Sequence, residues 1–149
     1  MSLLTSAVSM TKAMVQIDST DPGTYEKAMA DWIEQQLSDL SNVLITRENV
    51  LPGRPNLMAE IPGPKHLPAL VMICYMDTVV IGDGWTLPPF EAIEKDGKIY
   101  GRGACDMKSG LACCLSAFIM AARTLHASGQ APKTTLKLIC SMDEEDFMR

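Results

Sequence analysis

The 149-residue sequence lacks any cluster of lysine or arginine, and its 18 acidic against 13 basic side chains leave a formal net charge of -5. Such a balance gives no electrostatic footprint for nucleic acid or an anionic membrane surface, so neither is an expected partner. An apolar run of the ~20 residues that a membrane span requires is also missing. The longest run, LACCLSAFIMAA from Leu111 to Ala122, reads as a buried helix. The N-terminus has no basic stretch followed by an apolar core and a small-residue cleavage site, so nothing there marks secretion. The 5 cysteines are odd in number and include no Cys-x-x-Cys pair. That argues against a disulfide framework or a cysteine zinc knuckle, and for reduced thiols in a cytoplasmic setting. Internal repeats and low-complexity tracts are absent as well.

What is present is one domain's worth of chain with enough apolar residues for a real core. Leu4, Val8, Met14 and Ile17 give a loose helical spacing that stops at the turn cluster Asp18 to Gly23. A second helix follows, with Asp21 and Thr24 as cap candidates and a stripe of Tyr25, Met29, Trp32, Ile33, Gln36 and Leu40 at spacings of three and four. Strands are predicted over Asn42 to Asn49, Asn56 to Ile61 and Ala69 to Met76, separated by Pro/Gly punctuation. The third, ALVMICYM, is continuously apolar and suits a central strand covered on both faces. EAIEKDGKIYG reads as a hairpin turning at Asp96 and Gly97. A glycine-rich turn, GRGACDMKSG, opens a helix from about Met107 to His126, and a last strand runs from Thr134 to Met142. Alternation of this kind predicts an α/β fold with a central mixed, mostly parallel sheet flanked by helices.

Acidic residues gather at one kind of address. Asp77 follows a strand, Asp106 sits at the turn opening a helix, and Asp143, Glu144, Glu145 and Asp146 follow another strand. Ligands of open α/β sheets bind at the carboxyl ends of strands, and carboxylates collected there repel one another unless a cation neutralises them. A divalent metal is the natural counterion, although a single such Asp is more often a cap or a solvated loop charge.

MDTV, GDGWTLPPFEAIEKDGKIYGRGACDMKSG and DEE, spread over Asn56 to Asp146, resemble the zinc aminoacylase/carboxypeptidase family of metallopeptidases, which includes acetylornithine deacetylase, succinyl-diaminopimelate desuccinylase and carboxypeptidase G. The resemblance implies a catalytic domain that holds two zinc ions and hydrolyses linear amide bonds of small N-acyl amino acids or peptides. It implies Asp106 as the carboxylate bridging the metals, Glu145 as a terminal ligand, Glu144 as the general base and Asp77 as the acid that holds a metal-binding histidine two residues before it. Those roles agree with the chemistry: a metal acidifies bound water and polarises the scissile carbonyl, while a carboxylate moves the water's proton to the leaving nitrogen.

Two departures follow. Tyr75 stands where the family's His-x-Asp motif has its histidine, and a phenol must lose a proton with a pKa near 10 before it competes as a ligand. His66 and His126, the 2 histidines of the chain, lie outside these motifs and read as surface residues. Family members are also more than twice as long, so the expectation is an incomplete, N-terminal part of the catalytic domain over 1–149, without the lid and dimerisation domain. A truncated or degenerate relative that keeps the fold without the reaction is the alternative reading. Uncovered sheet edge or apolar surface would then favour self-association, making a homo-oligomer possible.

Other enzyme classes fit less well. GRGACD fails the dinucleotide-binding pattern because Asp106 stands at its third glycine and would repel a pyrophosphate. Cys105 has no histidine in a motif to act as its base. Trp85 and Phe90 either line the approach to the metals or pack their own loop.

Overall fold

The last strand among the described residues lies inside the sheet. A computed structural model describes residues 3–145, so Asp146 of the acidic run lies outside the described residues. The elements are α1 (Leu3–Val15), β1 (Thr20–Asp21), α2 (Lys27–Leu37), β2 (Leu44–Leu51), β3 (Arg54–Ile61), β4 (Leu70–Tyr75), β5 (Thr78–Val79), β6 (Ile93–Lys95), β7 (Lys98–Tyr100), α3 (Ser109–Ser128) and β8 (Leu136–Ser141). A four-stranded sheet runs β2-β3-β8-β4, while β1 pairs with β5 and β6 with β7 in two small ribbons.

The class is α/β and the sheet is mixed, but the expected mostly parallel pairing is corrected. Only β4 and β8 are parallel in the four-stranded sheet, because β2 and β3 form a tight hairpin and β8 enters antiparallel to β3. The placement of β4 is corrected too: it is an edge strand with β8 as its neighbour, not a central one. Leu70, Val71 and Ile73 are accordingly exposed, Ile73 at 69%. Its continuous apolar character reflects two apolar faces, of which the helices cover one.

That covered face is legible in the register. Leu57, Cys140 and Cys74 lie side by side across β3, β8 and β4, with Ala59, Leu138 and Met72 in the next row. They pack against Met29, Ile33 and Leu37 of α2 and Leu111, Leu115 and Phe118 of α3 in one core. Burying each Leu or Phe contributes about 1.5–3 kcal/mol. By length and composition α3 with its opening turn is apolar enough to cross a membrane, yet its Leu111, Ala112, Leu115, Phe118, Ile119 and Ala122 are buried in this core.

α2 begins later than its cap candidates suggest, with Glu26 rather than Asp21 or Thr24 at the N-cap and no side-chain cap bond. Asp21 is instead in β1, and Tyr25 stands outside the helix with its ring 4.4 Å from the Arg54 guanidinium carbon. A buried ion pair has outcompeted a local cap. The β6–β7 hairpin turns at Asp96 and Gly97, both at positive φ (53° and 71°), as a two-residue turn of this hand requires.

Candidate metal and catalytic site

β4 and β8 are parallel and in register from Leu70↔Leu136 to Tyr75↔Ser141, so their carboxyl ends open at the same level. Just beyond them come Asp77 on one side and Asp143, Glu144 and Glu145 on the other. The third contributor, Asp106, lies in an irregular turn, Ala104–Lys108, that leads into α3. Gly103 sets that turn in the left-handed region at φ 77°, where a Cβ would meet Thr78 Cγ2 at 2.6 Å. Lys108, 1% exposed, anchors the other end by donating from Nζ to the Ile17 carbonyl at 2.7 Å. Burial pulls its ammonium down to about 8, with Asp18 opposing.

The four residues expected in the site come together. Asp77 is buried, and its Oδ2 accepts the Glu145 backbone N–H at 2.7 Å. Its Oδ1 is buried without a hydrogen-bond partner. Burial raises its carboxyl above the ordinary range; N–H groups of Glu145, Glu144 and its own backbone oppose this, and the Glu26 charge adds to it. Glu145 is also raised, first by burial and then by the charges of Asp106, Glu144 and Asp77, while Arg102 opposes. Glu144 is exposed beside it. These are carboxylates with too little positive charge among them.

Tyr75 has a definite partner: its hydroxyl donates to Asp106 Oδ1. Burial first, then that hydrogen bond and the Glu145, Asp106 and Glu144 charges, push the phenol further up, so it stays protonated. The phenol acts here as a hydrogen-bond donor to Asp106. His66 is exposed in the loop before β4, and His126 is exposed in the last turn of α3. Neither approaches the acids. A hollow of about 500 Å³ lined by Asn42, Ile61, Leu125 and His126 lies at that far end of α3, away from Asp106.

The acids gathered at the strand ends, Asp106, Glu144 and Glu145, offer oxygen atoms alone as donors. Carboxylates suit a divalent cation, and Glu145 is raised by burial first and by the neighbouring carboxylates after it. One oxygen of Asp106 accepts the Tyr75 hydroxyl, and among the described residues the carboxylates whose oxygens lie close enough together for one ion are those of Asp21, Glu26 and Asp77.

Trp85 packs its loop: its indole N–H donates to the Ile81 carbonyl at 2.8 Å and the Arg102 guanidinium carbon lies 5.2 Å from its ring. It also lines a hollow of about 360 Å³ with Asp83, Leu87, Tyr100 and Arg102. Phe90 is half-buried.

Residues that sequence reasoning passed over form the floor of the site. Arg54, 4% exposed, donates from Nε to Glu26 Oε2 at 3.0 Å, from Nη2 to Glu26 Oε1 and Asp21, and from Nη1 to Asp143 Oδ1 at 2.9 Å. Oxygens of Asp21, Glu26 and Asp77, all buried, lie within 4.8 Å of one another. Arg54 opens a strand after the Gly53 turn, a position with no signal of burial, and its partners are 28 to 89 residues away.

Comparison with known proteins places the chain beside a family of peptidases. The model of peptidase family M20/M25/M40 matches residues 75–148. A probable succinyl-diaminopimelate desuccinylase of Staphylococcus epidermidis is 35% identical over 125 residues, 81% of this chain and 29% of the relative. The succinyl-diaminopimelate desuccinylase of Gluconacetobacter diazotrophicus is 42% identical over 92 residues, 61% of this chain and 22% of the relative. Among solved structures, an M20 family metallo-carboxypeptidase from Sulfolobus solfataricus superposes with a TM-score of 0.70 at 22% identity, covering 91% of this chain and 30% of that one. A dinuclear metal binding peptidase of the same family from Bacillus subtilis gives 0.59 at 17% identity, over 93% and 35%. The chain thus spans under a third of the length of these curated relatives.

Proposed function

We propose, from the premise that the chain belongs to peptidase family M20/M25/M40, that it carries part of the active site of a metal-dependent hydrolase of linear amide bonds. Residues 1–149 are read as the N-terminal part of the catalytic domain, acting on a small N-acyl amino acid or peptide in a cytoplasmic setting. The observation that carries this reading is the convergence of Asp106, Glu144 and Glu145 at the open ends of β4 and β8, where Asp77 accepts the Glu145 N–H and Tyr75 holds Asp106.

Asp106 and Glu145 would hold the metal, zinc by family resemblance. When bound, such an ion supplies Lewis acidity to the scissile carbonyl and lowers the pKa of water. Glu144, exposed at the edge of the group, takes the proton of the attacking water and returns it to the departing nitrogen. Asp77 accepts the Glu145 N–H and so fixes the backbone from which both glutamates project.

A second reading, a relative that keeps the fold without the reaction, is favoured by Tyr75. Its hydroxyl occupies Asp106 Oδ1 where a neutral nitrogen ligand would serve a zinc ion better. One titration separates the readings. Zinc measured by calorimetry against the whole chain and against Asp106→Ala should show binding that the variant loses. Equal heats from both proteins, or none from either, would leave only the fold.

A further inference from the structure

The segment from Met142 to Glu145 has no ladder partners, yet its backbone is held from several directions. Met142 N–H donates to Asn56 Oδ1 at 3.0 Å, Asp143 N–H to Glu26 Oε1 at 3.2 Å, and Glu145 N–H to Asp77 Oδ2 at 2.7 Å. Side chains do here what a neighbouring strand does elsewhere. Asp143 adopts φ 63°, a left-handed conformation uncommon for a residue with a side chain. In that conformation its carboxylate turns down to Arg54 Nη1 while the chain turns Glu144 and Glu145 toward Asp106.

We infer that Arg54 is a positioning residue for the acidic loop: with Glu26 and Asp143 it forms a buried clamp that fixes the direction of Glu144 and Glu145 before any ligand arrives. The inference rests on the reading of Asp106 and Glu145 as metal ligands. Arg54 suits the task because its planar fork offers separate donors to Glu26, Asp21 and Asp143 at once, which a lysine ammonium cannot match. It also neutralises Glu26, which could not otherwise stay buried and accept the Asp143 N–H. The clamp spans the chain, since Glu26 and Asp143 are 117 residues apart. Its remaining carboxylate, Asp21, ties the same guanidinium to β1 and through it to β5, which follows Asp77.

The test uses the whole chain with two variants at Asp143, because replacing Arg54 itself risks loss of folding. Asp143→Ala removes the acceptor for Arg54, whereas Asp143→Asn keeps an acceptor oxygen and tolerates positive φ. Amide hydrogen exchange is read first, without metal. Protection of the Asp143 and Glu145 amides should fall about tenfold or more in Asp143→Ala, stay within about threefold of the parent in Asp143→Asn, and be unchanged in β3 and β8 in both. Zinc affinity by calorimetry should follow the same order, about 10- to 100-fold weaker in the alanine variant. Unchanged loop protection in Asp143→Ala would overturn the inference. So would a loss of protection spread through β3 and β8, which marks a merely structural ion pair. A parent chain that binds no zinc but shows the local exchange pattern would refute the metal reading and leave the clamp standing.

Discussion

The Tyr75 hydroxyl donates a hydrogen bond to Asp106 Oδ1, joining the end of β4 to the turn that opens α3. A neutral donor thereby occupies the carboxylate expected to hold metal. Tyr75→Phe frees that oxygen, and Tyr75→His replaces the donor with a nitrogen that can itself ligate. If the phenol competes with metal for Asp106, calorimetric zinc affinity should rise for the first, and further for the second because a neutral nitrogen ligand is added. A fall in affinity for Tyr75→Phe would mean that the phenol supports the site instead of competing for it.

The buried thiols should be inert. Burial, with Cys114 nearby, pushes Cys74 up to about 12, and burial raises Cys140 as well. Thiolate is the reactive form, so Cys105 and Cys113, both exposed, should be alkylated at pH 8 long before Cys74 and Cys140. Mass spectrometry of labelled peptides reads this directly. The sign for stability follows. Above pH ~8.5 the unfolded chain releases thiol protons that the folded chain retains, so stability falls as pH rises through that point. Denaturant melts at pH 8 and 10 should show a smaller loss for Cys74→Ala than for the parent.

Gly103 is required by space as well as by φ. Its 77° torsion is one that side chains rarely adopt, and an added Cβ would meet Thr78 Cγ2 at 2.6 Å and Lys108 Cδ at 3.0 Å. Gly103→Ala should cost about 1–3 kcal/mol in a urea melt. Gly97→Ala, strained in torsion alone because nothing lies within 4 Å, should cost less.

The outer edge of β4 should drive self-association. Among the described residues β4 has a strand neighbour on one side alone, and its Val71 and Ile73 are exposed at 41% and 69%. Sheet edges of this kind pair with copies of themselves unless charge intervenes. Light scattering over a concentration series should show growth of dimers or larger species for the parent and a monomer for Ile73→Lys. A parent that stays monomeric throughout would count against this edge.

Legibility differed between elements for physical reasons. The β6–β7 hairpin was readable because Asp96 and Gly97 encode its turn locally, and α3 because twelve apolar or small residues in a row have few other homes. Asp77, Asp106, Glu144 and Glu145 could be grouped because strand ends in α/β folds meet at one edge of the sheet. Arg54, Glu26 and Asp21 could not: each reads as a turn or cap residue in its own window, and only pairing across distant segments buries them. The edge position of β4 escaped for a related reason, since hydrophobicity reports how apolar a strand is and not how many neighbours it has.

β8 separates β3 from β4, although both precede it by more than 60 residues. Until residues 136–141 have left the ribosome, those two strands lack the partner that lies between them and their facing edges stay unpaired. Closure of the sheet is thus a long-range event, slow for the same reason that high contact order slows folding generally. The acidic site cannot form until β8 and the loop after it are in place, so a nascent chain arrested before residue 136 offers chaperones the strand edges that β8 later joins.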